Sequence, residues 1–385
     1  MIEVRKTLKI LQVTAALNEG GVERGTLEMA AFIVAQGAES YVASNGGKLV
    51  PELERLGAKH YVLPLAKRNP LTILMSALLL AKIMRKKNIN LVHAHSRAPA
   101  WAALISCWLT KTRLITTFHG THKIQNRIKW LYNSVMVRGD RVIAISEFIL
   151  DHIVENYKVD PSCIDIAPRG FDPGKFNPED FDTCDKKSTK RILGIKDGNM
   201  VISLPGRLTR WKGQNVFLEA LGKIQDLPWQ ALIIGGAGGK KAYENELKKL
   251  AAHLGISDRV NFLGSQVDIA RYYAISDVVV SASTEPEAFG RVAIEAQAMA
   301  IPIIASAHGG SLETIRDGVT GWLYKAGDSV ALAEKMRLAL SPVSDLKLMG
   351  ERGAEWVGIH FSVEQMCRQE WLAYRKVLQE EIPLR

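Results

Sequence analysis

The chain has few of the features that mark secreted, disulfide-rich or membrane-spanning proteins. Its 385 residues include only four cysteines, which lie far apart at spacings that match no metal-binding motif. We therefore expect a reducing, cytoplasmic setting. The first residues are charged rather than apolar, so no secretory signal is predicted. The longest apolar run, residues 71–84, contains Lys82 and is too short to span a bilayer.

Acidic residues are missing from a long part of the first half. The formal net charge is +10, and residues 1–170 hold 23 Lys and Arg against 13 Asp and Glu, whereas residues 171–385 hold 27 of each. Between Arg55 and Gly139 there are 15 basic residues and no acidic one, and the helix predicted over 71–87 ends in three cations. Such a basic field favours contact with an anionic membrane surface or acceptor. A solvated face that serves only solubility is the alternative.

Predicted strands and helices alternate along the whole chain, which indicates parallel sheets covered on both faces. The first series opens with a strand over 8–14 and the Gly20-Gly21 turn, and it ends near residue 166. The second series runs from a strand at 200–204 to one at 321–324. The irregular stretch of about 168–190 is predicted to be the linker. The predicted domains are therefore 1–170 and 171–362, followed by an amphipathic helix within 363–385.

Two carboxylates flank a predicted helix start near residue 290. Glu287 follows a buried strand at 278–280, and Glu295 lies inside the helix that begins near Gly290. Between them, the amides near Phe289, Gly290 and Arg291 form a helix N-terminus, where an anion is favoured. This pattern predicts a phosphate held between two carboxylates that can bind sugar hydroxyls.

A basic loop directly follows the strand at 200–204. Its sequence, GRLTRWKG, carries Arg207 and Lys212. The loop lies at the carboxyl end of the strand, where ligands bind in open α/β sheets. A guanidinium fork and an ammonium point charge together suit a diphosphate.

The spacing of Glu287 and Glu295, the segment EAQAMAIP at 295–302 and the segment GGSLE at 309–313 resemble the family-4 retaining glycosyltransferases, or glycosyl transferases group 1. The resemblance covers nearly the whole chain. It implies the α/β GT-B fold, in which two Rossmann-like doubly wound domains face each other across a cleft and the C-terminal helix crosses back to the N-terminal domain. The N-terminal domain would bind the acceptor and the C-terminal domain the nucleotide-sugar donor.

The resemblance also implies roles for individual residues. Glu287 would contact the donor sugar, Glu295 the ribose, Arg207 and Lys212 the diphosphate, and His119 the transferring sugar near the reaction centre. The remaining donor-binding positions implied by the resemblance are Gly20, Gly21, Gly235, Leu263, Gly264, Phe289, Gly290 and Arg291. We expect neither a metal nor a cofactor: His93 and His95 have no evident third ligand, and the Asp180-Phe181-Asp182 motif lies in the polar linker.

The sequence departs from the family pattern at four positions. Arg169 stands where Asn is more common, Ala288 and Ala300 stand where Gly is usual, and Arg291 adds an atypical charge near the phosphates. These departures leave the fold expectation intact and leave the identity of the donor open.

The predicted function is a retaining, metal-independent glycosyltransferase that moves a sugar from a UDP- or GDP-sugar to a membrane-associated, lipid-linked saccharide such as lipopolysaccharide core. We expect a cytoplasmic or peripheral inner-membrane location and no nucleic-acid partner. One alternative is an NAD-dependent Rossmann oxidoreductase, which is disfavoured because the second strand ends in Ser44-Asn45-Gly46 rather than in an acidic residue. The other is a non-catalytic sugar-nucleotide-binding subunit, which the full set of site residues disfavours.

Overall fold

The computed structural model describes residues 7–18, 20–239 and 241–379, and it divides the chain into two compact units. The first unit contains the residues up to Arg169 together with those from Val363 onward. The second unit is continuous and runs from Gly170 to Ser362. Each unit is built around its own parallel sheet.

The first unit has a sheet of seven parallel strands in the part of the chain that the structure describes. In chain order the strands β1 to β7 are Lys9–Val13, Glu39–Ser44, Lys59–Val62, Leu91–Ala94, Arg113–Phe118, Arg141–Ala144 and Ile164–Ile166. Their order across the sheet is β3-β2-β1-β4-β5-β6-β7, so the direction of strand addition reverses between β1 and β4. The inner strands are buried on both faces because helices cover the sheet.

The helices of the first unit connect successive strands, and one comes from the far end of the chain. Helices α1 to α6 are Gly21–Ala35, Val50–Arg55, Pro70–Lys87, Arg97–Thr110, Arg127–Asn133 and Glu147–Tyr157. The C-terminal helix Val363–Leu378 belongs to this unit. Its apolar face, which includes Trp371 and Tyr374, packs in one buried cluster with Ile10 of β1 and Ile33 of α1. An amphipathic helix with that face needs a partner, and the first sheet supplies it.

The second unit repeats the same plan with six strands among the described residues. Strands β8 to β13 are Met200–Pro205, Trp229–Ile234, Val260–Gly264, Val278–Ser281, Ile303–Ser306 and Gly321–Tyr324. Helices α7 to α14 are Thr183–Ile192, Gln214–Leu221, Lys241–His253, Ala270–Ala274, Arg291–Ala298, Ser311–Thr314, Ser329–Ala339 and Leu346–His360, which makes the C-terminal helix α15. The order β10-β9-β8-β11-β12-β13 again reverses between the first and fourth strands.

The stretch predicted to be an irregular linker contains helix α7 and is largely part of the second unit. The Asp182 side chain accepts a hydrogen bond from the Asp185 amide and caps this helix. Arg271 of α10 donates to the Thr189 hydroxyl, which ties α7 to the second unit. The helix contains few apolar residues, so hydrophobic periodicity did not predict it. The prediction of two doubly wound α/β units is confirmed, whereas the last part of the predicted irregular linker, about 168–190, is helical from Thr183 onward.

Candidate active site

The carboxyl ends of the second sheet bring the predicted donor-binding loops to one edge. All neighbouring strands pair in parallel, so the loops after β8, β9, β10, β11 and β12 leave the sheet on the same side. Strands β8 and β11 are neighbours at the point where the strand order reverses. In open α/β sheets, ligands bind in the crevice at such a switch point. Arg207 and Lys212 follow β8, and Glu287 follows β11.

The loop after β8 is held between its two neighbours by close backbone approaches. The Gly206 amide donates to the Ile234 carbonyl over 2.8 Å, and a Cβ on Gly235 would lie 2.0 Å from the Gly206 carbonyl oxygen. At the other end of the loop, Gly213 has a φ of +68°, and a Cβ there would lie 1.8 Å from the Ala282 carbonyl oxygen. The glycines therefore allow the three loops to pack tightly, and this fixes the backbone that carries Lys212.

Lys212 and Glu287 form a largely buried ion pair at the switch point. The Lys212 Nζ lies 2.8 Å from the Glu287 Oε1, with the side chains 14% and 11% exposed. The hydroxyls of Ser281 and Ser283 also donate to Oε1. Burial raises the pKa of Glu287, but Lys212 and the two hydroxyls outweigh burial and hold that pKa below its usual value. The carboxylate is therefore ionised and held in one orientation.

The start of α11, where a phosphate site was predicted, follows a glycine in the left-handed region. Gly290 adopts φ 88° and ψ 58° immediately before the helix, so the amides of the first turn follow a sharp bend. The Gly310 amide donates to the Glu287 carbonyl over 2.9 Å, and a Cβ on Gly310 would lie 2.4 Å from the Phe289 carbonyl oxygen. The loop after β12 thus supports the loop that carries Glu287 and Phe289.

Glu295 lies in α11 with two polar partners. The Arg291 guanidinium is 3.2 Å from its Oε1, and the Tyr273 hydroxyl donates to its Oε2 over 3.2 Å. Burial raises the pKa of Glu295 above its usual value, although Arg291 and Tyr273 oppose that rise. The atypical Arg291 therefore stabilises the charged form of the carboxylate that the resemblance assigns to the ribose.

The remaining predicted donor residues of the second unit lie at the same edge. Arg207 is exposed, and its carbonyl accepts a hydrogen bond from Gln214. Leu263 and Gly264 end β10, where the Leu263 carbonyl accepts from the Gln266 side chain. A base that binds through the Leu263 carbonyl would share it with, or displace, this side chain.

His119 belongs to the first unit and lies in a network of buried and half-buried polar side chains that includes the cation of Arg169. It follows β5, and its Nε2 is 3.2 Å from the Nδ1 of His95, which follows β4. The Arg169 guanidinium is 2.8 Å from the His119 Nδ1, so both ring nitrogens have protein partners. Burial, with a smaller effect of Arg169, holds the pKa of His119 well below its usual value. Gly20 and Gly21, also in this unit, begin helix α1.

The structure brings together the second-unit residues of the predicted set, and it adds residues that sequence reasoning missed. Ser281 and Ser283 orient Glu287, and Tyr273 contacts Glu295. These three have no local motif, because each acts through a contact between different loops. His95 was considered only as a metal ligand, whereas the structure shows it beside His119. The predicted roles of individual residues are not tested by this geometry and stay predictions.

The paired histidines of β4 and its following loop have hydrogen-bond partners rather than a metal-like arrangement. His93 bonds to the Tyr374 hydroxyl through Nδ1 and to Thr117 through Nε2. In the described ranges, no group of three or more His, Cys, Asp or Glu side chains is arranged to hold a metal ion. The second strand ends at Ser44, whose hydroxyl contacts His60, so the ribose-binding acid of a dinucleotide-binding oxidoreductase is not at this position.

Comparisons with known proteins agree with this architecture. A family model described as glycosyl transferases group 1 matches residues 185–356, and one described as glycosyltransferase family 4 matches residues 19–175. The crystal structure of a glycosyltransferase from Rickettsia africae is 36% identical, has a TM-score of 0.90, and aligns over 97% of this chain and 100% of that chain. The fold is therefore that of GT-B glycosyltransferases. The chain belongs to the family of glycosyl transferases group 1.

Two further comparisons are less complete. A D-inositol 3-phosphate glycosyltransferase from Mycobacterium sp. (strain KMS) is 32% identical over 258 residues, or 62% of this chain. That alignment covers 56% of the relative, so the chain spans little more than half the length of the curated relatives of this kind. The Anabaena protein HepE, solved in complex with UDP-glucose, is 24% identical with a TM-score of 0.82 over 95% of this chain and 100% of that chain, a likeness in fold.

Proposed function

We propose that this glycosyltransferase moves a sugar from a nucleoside-diphosphate donor, a UDP- or GDP-sugar, to a lipid-linked saccharide at an anionic membrane surface. Lipopolysaccharide core is an acceptor of this class. The transfer retains the anomeric configuration of the donor and requires no metal ion. The observation that carries the donor assignment is the Lys212–Glu287 pair at the switch point of the second sheet, next to the start of α11.

The chemistry follows from the charges at this edge. Lys212 and Arg207 neutralise the leaving diphosphate, and the amides at the start of α11 donate to its oxygens. Glu287 is ionised, so it accepts hydrogen bonds from the hydroxyls of the donor sugar while it keeps Lys212 in place. The departing phosphate takes the proton of the acceptor hydroxyl on the same face of the sugar. The protein supplies position and charge stabilisation.

Nucleotide binding is the direct test of the donor site. Thermal unfolding of the full chain is measured with UDP, GDP and ADP and with the matching glucose or mannose donors. We expect one nucleotide series to raise the midpoint, because a ligand that binds the native state stabilises it. The rise should persist in EDTA and should be lost in Lys212→Met. Lys347→Met, which removes an exposed lysine of α14, is the matched control. No response to any nucleotide would contradict the proposal.

An exposed apolar stripe on α3 supports the membrane part of the proposal. Its members are Leu71, Leu74, Met75, Leu78 and Leu79, and Leu71 is 78% exposed. The opposite face of α3 packs on α4, and the last turn carries Arg85, Lys86 and Lys87. A helix with one buried face, an exposed apolar stripe and a cationic end is suited to lie in the interface of an anionic leaflet. Among the described residues, no helix combines the length and apolarity needed to cross a bilayer.

Vesicle flotation tests this surface. The full chain should float with vesicles that contain phosphatidylglycerol and should bind neutral phosphatidylcholine vesicles weakly, and salt should reduce the binding. The double variant Leu71→Ser/Leu78→Ser should reduce flotation. Val343→Ser/Ile359→Ser is the control, because it removes two exposed apolar side chains of the second unit. Equal binding to neutral vesicles, or equal binding by both double variants, would contradict the membrane proposal.

A further inference from the structure

The guanidinium of Arg169 is buried and contacts the ring of His119. Arg169 is only 6% exposed, and its two terminal nitrogens lie 2.8 Å from the His119 Nδ1 and 3.4 Å from the Met366 Sδ of α15. Helix α1 leaves room for it, because a Cβ on Gly25 would lie 2.4 Å from the guanidinium. Three elements from distant parts of the chain thus enclose this side chain.

The chemistry of arginine fixes the direction of this hydrogen bond. A guanidinium has only donors, so the Nδ1 of His119 accepts and carries no proton. The ring is then neutral with its proton on Nε2, which faces the His95 Nδ1 at 3.2 Å. His95 in turn accepts at Nδ1 and carries its own proton on Nε2.

The hydrogen bonds of Gln12, at the other end of the network, independently specify the same tautomers of the two histidine rings. The Gln12 Nε2 lies 3.0 Å from the Thr26 carbonyl oxygen, which can only accept. The Gln12 amide oxygen therefore faces the His95 Nε2 at 2.9 Å and accepts from it. His95 must then present a bare Nδ1 to His119. The donor at one end and the acceptor at the other specify one set of tautomers for both rings.

We propose that Arg169 is a positioning residue that holds His119 as a neutral imidazole with a bare Nδ1 and its proton on Nε2, so that neither ring nitrogen acts as a base toward a sugar hydroxyl. The contact with a sugar rests on the proposed function, whereas the tautomer does not. A ring of this form cannot take the proton of the acceptor hydroxyl without breaking its bond to Arg169. This agrees with the proposed transfer of that proton to the departing phosphate of the donor.

The tautomer can be measured without any substrate. The full chain is labelled with ring-15N histidine, and long-range 1H–15N spectra distinguish a protonated ring nitrogen from a bare one. The signals of His119 are identified by their loss in His119→Gln. We expect a protonated Nε2 and a bare Nδ1 in the wild type, and the same pattern in Arg169→Lys, which keeps a donor-only cation. Arg169→Met should keep the proton on Nε2, which still faces His95, but Nδ1 should become protonated at a higher pH than in the wild type, because the cation no longer faces it. A protonated Nδ1 in the neutral wild-type ring, or protonation of Nδ1 at the same pH in Arg169→Met, would overturn the proposal.

The pH dependence of sugar transfer separates positioning from simple structural support. Arg169→Met should lower kcat by about 10- to 100-fold, the range that hydrogen bonds to charged groups support. It should also add a loss of activity toward low pH, because removing the cation lets the pKa of His119 rise. The titratable groups that would still act on His119 in this variant are His93, His95 and His122, while Cys367 and Glu370 face the position of Arg169.

Arg141→Met is the matched control, because it removes a half-buried guanidinium of the same unit whose partner is Asp165. We expect neither the tautomer nor the shape of the pH profile to change in this variant. A uniform loss of activity in Arg169→Met, with the profile of the control, would overturn the positioning role. If Lys212→Met retained full transfer activity, the proposed function would fail, and the spectra of the unliganded protein would still decide the tautomer.

Discussion

The first six strands of each sheet have the same order, but the carboxyl edge of the first sheet carries neutral histidines and that of the second carries ion pairs. In the first unit, His95 and His119 are neutral because burial holds their pKa values well below the usual range. In the second unit, the edge holds the ion pairs Lys212–Glu287 and Arg291–Glu295. The same topology therefore determines where loops converge, and the side chains on those loops determine what can bind there.

The two edges therefore suit different kinds of ligand group. A diphosphate carries charge and needs cations and backbone amides, whereas a sugar hydroxyl is neutral and needs oriented donors and acceptors. In the first unit, the Arg169 guanidinium contacts the Nδ1 of His119, and Glu370 lies on α15. A substitution that adds a charge to the edge of the first sheet, or removes one from the edge of the second, should therefore reduce activity more than it reduces the free energy of unfolding.

The first unit is assembled from two separate parts of the chain, whereas the second unit is continuous. Disrupting the packing of the C-terminal helix α15 in the first unit should give the largest effect. Trp371 of α15 is 1% exposed and packs against Phe32 and Tyr374 with centroid distances of 6.3 and 6.0 Å. Trp371→Ala should lower the free energy of unfolding of the first unit by about 3–5 kcal/mol, because a large buried side chain leaves a cavity. Urea unfolding followed by circular dichroism measures the change.

Trp108→Ala is the matched control for this prediction. It removes a tryptophan of α4 in the same unit that is 81% exposed, so the change in unfolding free energy should stay within about 0.5 kcal/mol. Equal destabilisation by the two variants would show that α15 does not complete the core of the first unit.

The second prediction tests the charged edge. Lys212→Met leaves the Glu287 carboxylate without its ammonium partner and removes a cation from the diphosphate site. Sugar transfer should fall by about 100- to 1,000-fold, the loss that follows removal of one transition-state donor. Release of nucleoside diphosphate from the donor measures the rate. Lys248→Met removes a lysine that pairs with Glu244 on α9, and it should keep wild-type activity. A comparable loss in both variants would remove the special role of Lys212.

The third prediction uses the one carboxyl of α15 that faces the neutral network. Burial raises the pKa of Glu370 to about 7, with Arg169 opposing the rise, and its Oε2 lies 3.8 Å from the His93 Nδ1. A carboxyl whose pKa is higher in the folded state than in the unfolded state stabilises the fold below about pH 4.5, and that stabilisation is lost as pH rises through 7. Glu370→Gln should therefore gain about 2 kcal/mol over the wild type between pH 5 and 8.

His93 opposes this trend, because burial lowers its pKa from 6.5 to about 3, so its contribution to stability is complete above pH 6.5 and is lost progressively as pH falls toward 3. Urea unfolding at several pH values measures the slopes. Glu364→Gln changes an exposed carboxyl of the same helix and should leave the slope unchanged. If Glu370→Gln followed the wild-type curve from pH 5 to 8, folding would not raise the pKa of Glu370.

The alternation of apolar strands and helical patterns was enough to predict two α/β units, and α15 was predicted over the residues that form it. Helices α5 and α7 were not predicted, because both are short and owe their starts to the caps Asn126 and Asp182 rather than to an apolar periodicity. In the site, Lys212 and Glu287 were predicted individually as functional residues. Their direct pairing and the serines around them were not, because contacts between loops from different strands leave no local pattern.

The smallest expected effect concerns Ala300, which stands where the family usually has glycine. Ala300 has a φ of +55° directly after α11, and its carbonyl oxygen would lie 1.9 Å from a Cβ on Gly350, so packing against α14 holds the backbone there. Left-handed backbone costs a non-glycine residue about 1–2 kcal/mol, whereas glycine adds unfolded-state entropy of about 0.4–1 kcal/mol. Ala300→Gly should therefore raise the free energy of unfolding of the second unit by up to about 1 kcal/mol without changing donor binding.

The control is Ala298→Gly, inside α11, which should instead lower the free energy of unfolding by about 1 kcal/mol. If both glycines destabilised the unit equally, the left-handed conformation at Ala300 would carry no strain.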